Sequence, residues 1–150
     1  EGGIRVPGLI EWPGKVHPGN TIIPAVTSDY FPTILDIIGV KPANNRPLDG
    51  VSLLPLFQGK MRERGRPIGF QSAGQVAWIG DRYKLYGKGS KKDQPNKVSS
   101  LKLYDLLDDP SEKNDLAKKH PEILKTMAAE LEKWRASCRQ SDSGADYSNN

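Results

Sequence analysis

The spacing of apolar residues changes character near residue 66. Before that point, residues 4–12 read IRVPGLIEW, an apolar run interrupted by Pro7 and Gly8 and closed by Pro13 and Gly14. This predicts an extended segment with a bulge or edge position at the proline. Tyr30, Ile34, Leu35, Ile37 and Ile38 then recur at helical spacing. Ser28 suits the N-cap, Pro32 falls in the first turn, where a missing N–H costs little, and Gly39 suits the left-handed residue that ends a helix. A mostly buried helix is therefore expected over about 29–38. Residues 48–52, LDGVS, form a turn leading into LLPLF, where Ser52 can cap one short helical turn ended by Gly59. The segment KMRERGR, residues 60–66, is charged and contains a glycine, which predicts an exposed connection or boundary.

Beyond it the elements become strands. Residues 67–71 form a short extended stretch, and residues 75–79 and 82–86 flank Gly80 and Asp81, a pair suited to a tight hairpin turn. In the second arm Tyr83 and Leu85 alternate with Arg82, Lys84 and Tyr86, so that one face can be buried. Residues 87–100, GKGSKKDQPNKVSS, are a loop by composition. Leu101 and Leu103 alternate with Lys102 and Tyr104 in a last strand that ends in the turn Asp108-Asp109-Pro110-Ser111. Pro121 stands at a natural first helical position with Glu122 beside it, and Leu124, Met127, Leu131 and Trp134 follow at intervals of three and four. That is an amphipathic helix reaching about Arg139, with its apolar stripe packed on the sheet. Residues 141–150 hold one aromatic and little to bury, so a disordered tail is expected.

Composition narrows the function. At 150 residues the chain matches one ordinary domain or the end of a larger one. Apolar residues are 36%, which permits only a thin core, and 15 Gly with 12 Pro favour short elements joined by shaped loops over a helical bundle. There is no apolar run of the ~20 residues a membrane-spanning helix needs. One Cys cannot close an internal disulfide, and with two His it is too few for a structural zinc site. The net charge of +4 is mild for a nucleic-acid binder, and acidic residues are interspersed along the chain. The opening at Glu1, without an initiator Met, points to a piece of a longer protein.

Four stretches go beyond pattern. The opening EGGIRVPGLIEWPGKV (1–16) resembles a segment of the sulfatase family, and LYDLLDDPSEKNDLA (103–117) resembles that family's signature near its carboxyl end. Between them DYFPTILDIIGV (29–40) and LDGVSLLPLFQG (48–59) are similar to two further blocks of the family, in the same order. The resemblance implies a fold of two parts. An α/β segment of the alkaline-phosphatase-like type, residues 1–60, would end the large domain. A small α+β domain, residues 61–140, would carry a short antiparallel sheet and one packed carboxyl-terminal helix.

It also implies sulfate ester hydrolysis by a complete enzyme, with calcium and a formylglycine made from Cys or Ser in a C-x-P-S-R type motif. A sulfated small molecule or glycan would be the partner, with neither nucleic acid nor membrane required, and the compartment would be secreted, periplasmic or lysosomal. The family's catalytic and metal-binding residues lie mostly upstream of the EGG segment, so this chain is expected to hold no catalytic centre, no metal site and no cofactor of its own. Cys138, in CRQSD, has Ser at the fourth place but Gln140 where proline or a small residue is usual and Asp142 in place of arginine, so that motif fails.

Two residues remain as substrate-binding candidates. Arg5, beside Gly2 and Gly3, can present a planar guanidinium fork to an oxyanion, and His17 can face a cleft with a near-neutral imidazole. The bland alternatives are a surface arginine on a plain turn and a loop histidine. His120 reads as a capping-region residue, and Asp108, Asp109 and Asn114 as bonders of turn N–H groups. A competing reading is a binding module for a polyanion, either nucleic acid or a sulfated glycan. Its basic patch would comprise Lys60, Arg62, Arg64, Arg66, Arg82, Lys84, Lys88, Lys91, Lys92 and Lys97, near Trp78, Tyr83 and Tyr86. A third keeps the superfamily but hydrolyses phosphodiesters or phosphonates. Residues 1–60 alone would leave apolar surface bare, so marginal stability or a homodimer covering that surface is expected.

Overall fold

The structure is a computed structural model that describes residues 4–42, 47–88 and 101–147. It divides into two compact units, Glu1–Arg66 and Pro67–Asn150.

The first unit holds a 3-10 turn, Thr27–Asp29, running into helix α1, Tyr30–Ile38, and a one-turn helix α2, Leu54–Phe57. The N-cap falls on Asp29 rather than Ser28, because the Asp29 carboxylate accepts the Val26 N–H at 2.9 Å and folds the chain into the preceding tight turn. Gly39 ends it at φ 68°, where its N–H and that of Val40 reach back to the carbonyls of Asp36 and Leu35. Before α2, the Ser52 hydroxyl accepts the Leu54 N–H at 3.2 Å, but the N-cap position falls on Leu53 rather than on Ser52 as expected. Residues 4–12 do not form a strand, since no sheet neighbour lies beside them among the described residues.

Two further expectations fail in this unit. Helix α1 is not mostly buried: Tyr30, Phe31, Ile34, Ile37 and Ile38 are all exposed, and Thr33 is its one buried residue. Residues 60–66 are not a plain exposed connection either, because the Arg64 side chain is buried inside the unit.

The second unit is a four-stranded antiparallel meander in the order β1-β2-β3-β4: β1 Ile68–Ser72, β2 Gln75–Ile79, β3 Tyr83–Lys88 and β4 Leu101–Asp105. Helix α3, Pro121–Asp142, covers one face. Strands β1 and β2 are joined by Ala73 and Gly74, both at positive φ (48° and 76°), which matches the right-handed twist of the paired strands. Between β2 and β3 the turn falls on Asp81 and Arg82, one residue later than the Gly80-Asp81 pair, with the Gly80 N–H donating to the Tyr83 carbonyl at 2.9 Å. Arg82 fixes it there: its carbonyl accepts the Leu106 N–H at 2.8 Å and its guanidinium reaches Asp105 and Asp108.

The apolar positions of β3 and β4 and the stripe of α3 meet as expected, but the alternation is not one of burial, since Lys84 and Tyr104 between those positions are buried as well. Val76, Trp78, Leu85, Leu101 and Leu103 from the sheet enclose Leu124, Met127, Ala128 and Leu131 from the helix. Each such side chain, fully buried, contributes about 1.5–3 kcal/mol. Trp134 lies over Gly69, where a Cβ would come within 2.5 Å of its ring, and packs against Trp78 with centroids 5.9 Å apart. The helix runs past Arg139 to Asp142 and a 3-10 turn follows at Ala145–Tyr147, so the expected disordered tail is helical over its first part. Residues 148–150, and most of the loop expected at 87–100, lie outside the described residues.

Candidate functional site

Asp29 and Arg64 form a heavily bonded polar pair in the first unit. The Arg64 guanidinium donates through Nη1 to Asp29 Oδ2 at 2.5 Å and through Nη2 to Oδ1 at 2.8 Å, a two-pronged match of fork and carboxylate. The same two oxygens accept backbone N–H groups, Oδ2 from Val26 and Oδ1 from Val51, each at 2.9 Å. Arg64 Nε is satisfied by the Arg66 carbonyl at 2.7 Å. The two side chains are 0% and 2% exposed, so a full ion pair is held out of water by these hydrogen bonds. Burial pushes the Asp29 carboxyl up, but the Arg64 hydrogen bonds, the Val51 and Val26 N–H groups and the Arg64 charge outweigh it and hold the group below its ordinary value.

Around this pair, three stretches distant in sequence become one. Thr33 Oγ1 donates to the Asp29 carbonyl and accepts the Leu53 N–H at 2.9 Å, and Gly50 presses so closely on the Ser28 carbonyl that a Cβ there would overlap it. The sequence signal was present in part: DYFPTILDIIGV and LDGVSLLPLFQG both stood out, but Arg64 sat in a run that reads as surface charge. With both Asp29 oxygens bonded to Val26, Val51 and Arg64 and both side chains buried, this pair is closed to solvent and acts as a structural latch.

The candidates for substrate contact lie elsewhere in the same unit. Arg5 and His17 are both exposed, in the irregular segment that precedes the first 3-10 turn. Cys138 is an exposed thiol on α3. His120 precedes α3 as its N-cap residue without a side-chain cap, and its ring lies 6.3 Å from that of Tyr83. No group of three or more His, Cys, Asp or Glu able to hold a metal ion occurs among the described residues.

The acids of the 103–117 stretch are spent on backbone and cations. Asp105 accepts the N–H groups of Leu107 and Asp108 at 3.1 and 3.3 Å, and Arg82 Nε at 2.8 Å. Burial raises its carboxyl, but the Arg82 hydrogen bond, those two N–H groups and the Arg82 charge bring it below the ordinary value. Asp109 accepts the Asn114 N–H at 2.7 Å, and Asp115 accepts from Leu103 and Ala117. Asp108 departs from expectation by pairing with Arg82 rather than with a turn N–H. Glu112, in a left-handed conformation at φ 56°, receives the buried Lys84 ammonium at 2.6 Å. Arg64 and Lys84 are thereby withdrawn from the basic patch drawn from the sequence, Trp78 is buried, and Lys91, Lys92 and Lys97 lie outside the described residues.

An open concavity of about 400 Å³ in the second unit is bordered by Asp81, Glu122 and Glu130 with Arg82 as its one cation. That sign of charge disfavours a sulfate.

No family model matches the chain. It is 34% identical over 144 aligned positions to arylsulfatase G of Rattus norvegicus, covering 85% of this chain and 27% of that protein. It is 41% identical over 76 positions to arylsulfatase D of Homo sapiens, covering 50% of this chain and 13% of the relative. Among solved structures, Ps i-CgsB superposes with a TM-score of 0.68 at 24% identity, over 91% of this chain and 31% of that one. Another, in complex with its substrate D-glucosamine-2-N,6-O-disulfate, superposes with a TM-score of 0.52 at 19% identity, over 81% and 25%. The chain belongs to the sulfatase family, in its carboxyl-terminal region. It spans about a quarter or less of the curated sulfatases just described. The four-stranded antiparallel sheet with one packed helix is thus the end of an alkaline-phosphatase-like sulfatase fold.

Proposed function

We propose that the chain is the carboxyl-terminal part of a sulfuric ester hydrolase and carries none of that enzyme's bond-breaking groups. The first unit completes the large α/β domain and the second forms the small α+β domain, with the division after Arg66 rather than at the expected residue 60, because Arg64 is bonded to Asp29 of the first unit. The reading is supported above all by the match to arylsulfatase G, which extends over 85% of this chain but only 27% of the relative. In sulfatases a calcium ion and a formylglycine supply charge stabilisation and the nucleophile. The residues here do not fit either group: no three potential ligands converge among those described, and Cys138 stands outside a C-x-P-S-R pattern. On this reading both groups are supplied by the rest of the enzyme. The substrate is a sulfated small molecule or glycan, a class supported by the disulfated glucosamine in the related structure.

Within this chain Arg5 and His17 take the substrate-binding role, since both are exposed and chemically suited to an oxyanion. A lost hydrogen bond to a charged group costs about 1.5–3 kcal/mol. Replacing either by Ala in the complete enzyme accordingly raises KM by about ten-fold or more and leaves kcat less changed. The reading as a whole is tested by turnover of an aryl sulfate with calcium supplied. The complete polypeptide hydrolyses it, and the 150-residue chain gives no turnover above a heat-killed control. Hydrolysis by the 150-residue chain contradicts the proposal.

A further inference from the structure

The two edges of the small sheet differ. At β4 the edge is sealed: the Leu103 N–H donates to Asp115 Oδ1 at 3.2 Å, and the Leu103 carbonyl accepts the Leu116 N–H at 2.8 Å. At β1 it is open. Ala73 and Gly74 make a two-residue turn, so Ser72 and Gln75 form a hydrogen-bonded pair. Alternation along the register then turns the N–H and carbonyl groups of Gly69 and Gln71 away from β2. No hydrogen bond to those outward groups occurs among the described residues. The strand reads IGFQS, with none of the charge or proline that keeps bare edges apart. Nor is this the rim of an uncovered core, since the sheet closes on α3 and Leu107 is the one large apolar residue described as exposed in this unit.

We propose that β1 pairs antiparallel with β1 of a second copy, joining the two small sheets into one. The sequence selects both the occupant and the register. Centred on Phe70, the pairing sets Gly69 opposite Gln71 of the other copy twice over, so each open N–H meets an open carbonyl and one contact satisfies both edges. A register shifted one way would bring in Pro67, which has no N–H to give. Shifted the other way it would bring in Ala73, whose φ of 48° takes it out of the strand. The two Phe70 side chains, half-buried in one copy, then face each other as the close, non-hydrogen-bonded pair. The pairing needs no catalytic group and holds whatever the enzyme cleaves. An extended peptide of another protein could use the same edge but has no need of this two-fold match, and is the rival occupant.

Analytical sedimentation of the complete polypeptide tests the pairing. The unmodified protein is expected to run at twice the mass of one chain. Gln71→Pro removes an outward N–H without touching a backbone bond to β2, and is expected to halve that mass. Because Gln71 also accepts Arg135 Nε at 2.8 Å, a second variant keeps the test independent of the folding of the first. Phe70→Cys, in a Cys138→Ser background, places two thiols across a non-hydrogen-bonded pair, where Cα atoms about 4.5 Å apart lie within disulfide reach. Mild oxidation should link two copies, and mass spectrometry should find the bridged peptide with position 70 on both sides. An unmodified protein that stays at the mass of one chain overturns the proposal, whether its edge is empty or covered by other residues of the enzyme. So does a dimer that persists in folded Gln71→Pro and yields no bridge at position 70, because its contact lies elsewhere.

Discussion

Replacing Asp29 by Asn probes the latch at its most sensitive atom pair. Each carboxylate oxygen faces one backbone N–H and one guanidinium N–H: Oδ2 faces Val26 and Arg64 Nη1, and Oδ1 faces Val51 and Arg64 Nη2. Whichever way an amide is placed, its NH₂ is driven against two donors, and the buried Arg64 loses the charge of Asp29. Removing one partner of a buried pair costs about 3–5 kcal/mol. A whole domain is stable by only about 5–15 kcal/mol. The expected outcome is loss of structure in the first unit, read in the complete polypeptide as a urea midpoint lowered by the equivalent of at least 3 kcal/mol. Amide exchange should accelerate over Tyr30–Ile38 and remain slow over Leu124, Met127 and Leu131 of α3. The double variant Asp29→Asn with Arg64→Met should lose less than the sum of the singles, since no charge is then stranded. A loss below about 1 kcal/mol in Asp29→Asn, with α1 exchange unchanged, refutes the latch.

Three further outcomes follow from the same contacts. The Asp29 and Asp105 carboxyls lie below the ordinary value of 3.8, so the stability they contribute is whole above that pH and is lost as pH falls through their depressed folded values; an acid titration of unfolding free energy should bend downward there, and a flat profile counts against both pairs. Gly69→Ala should destabilise by about 1–3 kcal/mol despite the better strand propensity of Ala, because the methyl meets the Trp134 ring, and thermal unfolding showing a gain would contradict that packing. Glu112→Gln should cost more than Lys84→Met, because it strands an ammonium that is 4% exposed, whereas the methionine variant leaves a carboxylate at 13% that water can reach; equal losses in parallel denaturation curves would show that the pair is not buried as described.

The second unit was largely legible in the sequence because local pattern and tertiary packing agree there. The alternation of Leu101 and Leu103 and the three-and-four spacing of Leu124, Met127 and Leu131 point at each other, and the structure joins them. The turn at Ala73-Gly74 escaped notice because Ala gives no signal for the left-handed φ it adopts. Helix α1 was legible as a helix but not in its orientation. Periodicity locates an apolar stripe without telling whether the chain in hand or another part of the protein covers it. Arg64 was missed for a related reason: amid Arg62, Glu63 and Arg66 nothing in composition distinguishes one buried guanidinium from its exposed neighbours, and its partner lies 35 residues away. Arg5 and His17 were found by chemistry and sit exposed on irregular backbone.

The central claim is that the reactive groups are encoded ahead of this stretch in the same gene. Sequencing the transcript upstream of the Glu1 codon tests it most directly. The expected result is an open frame running into a C-x-P-S-R type motif with Cys or Ser at its head. A start codon immediately before Glu1, or a long upstream frame without that motif, would contradict it.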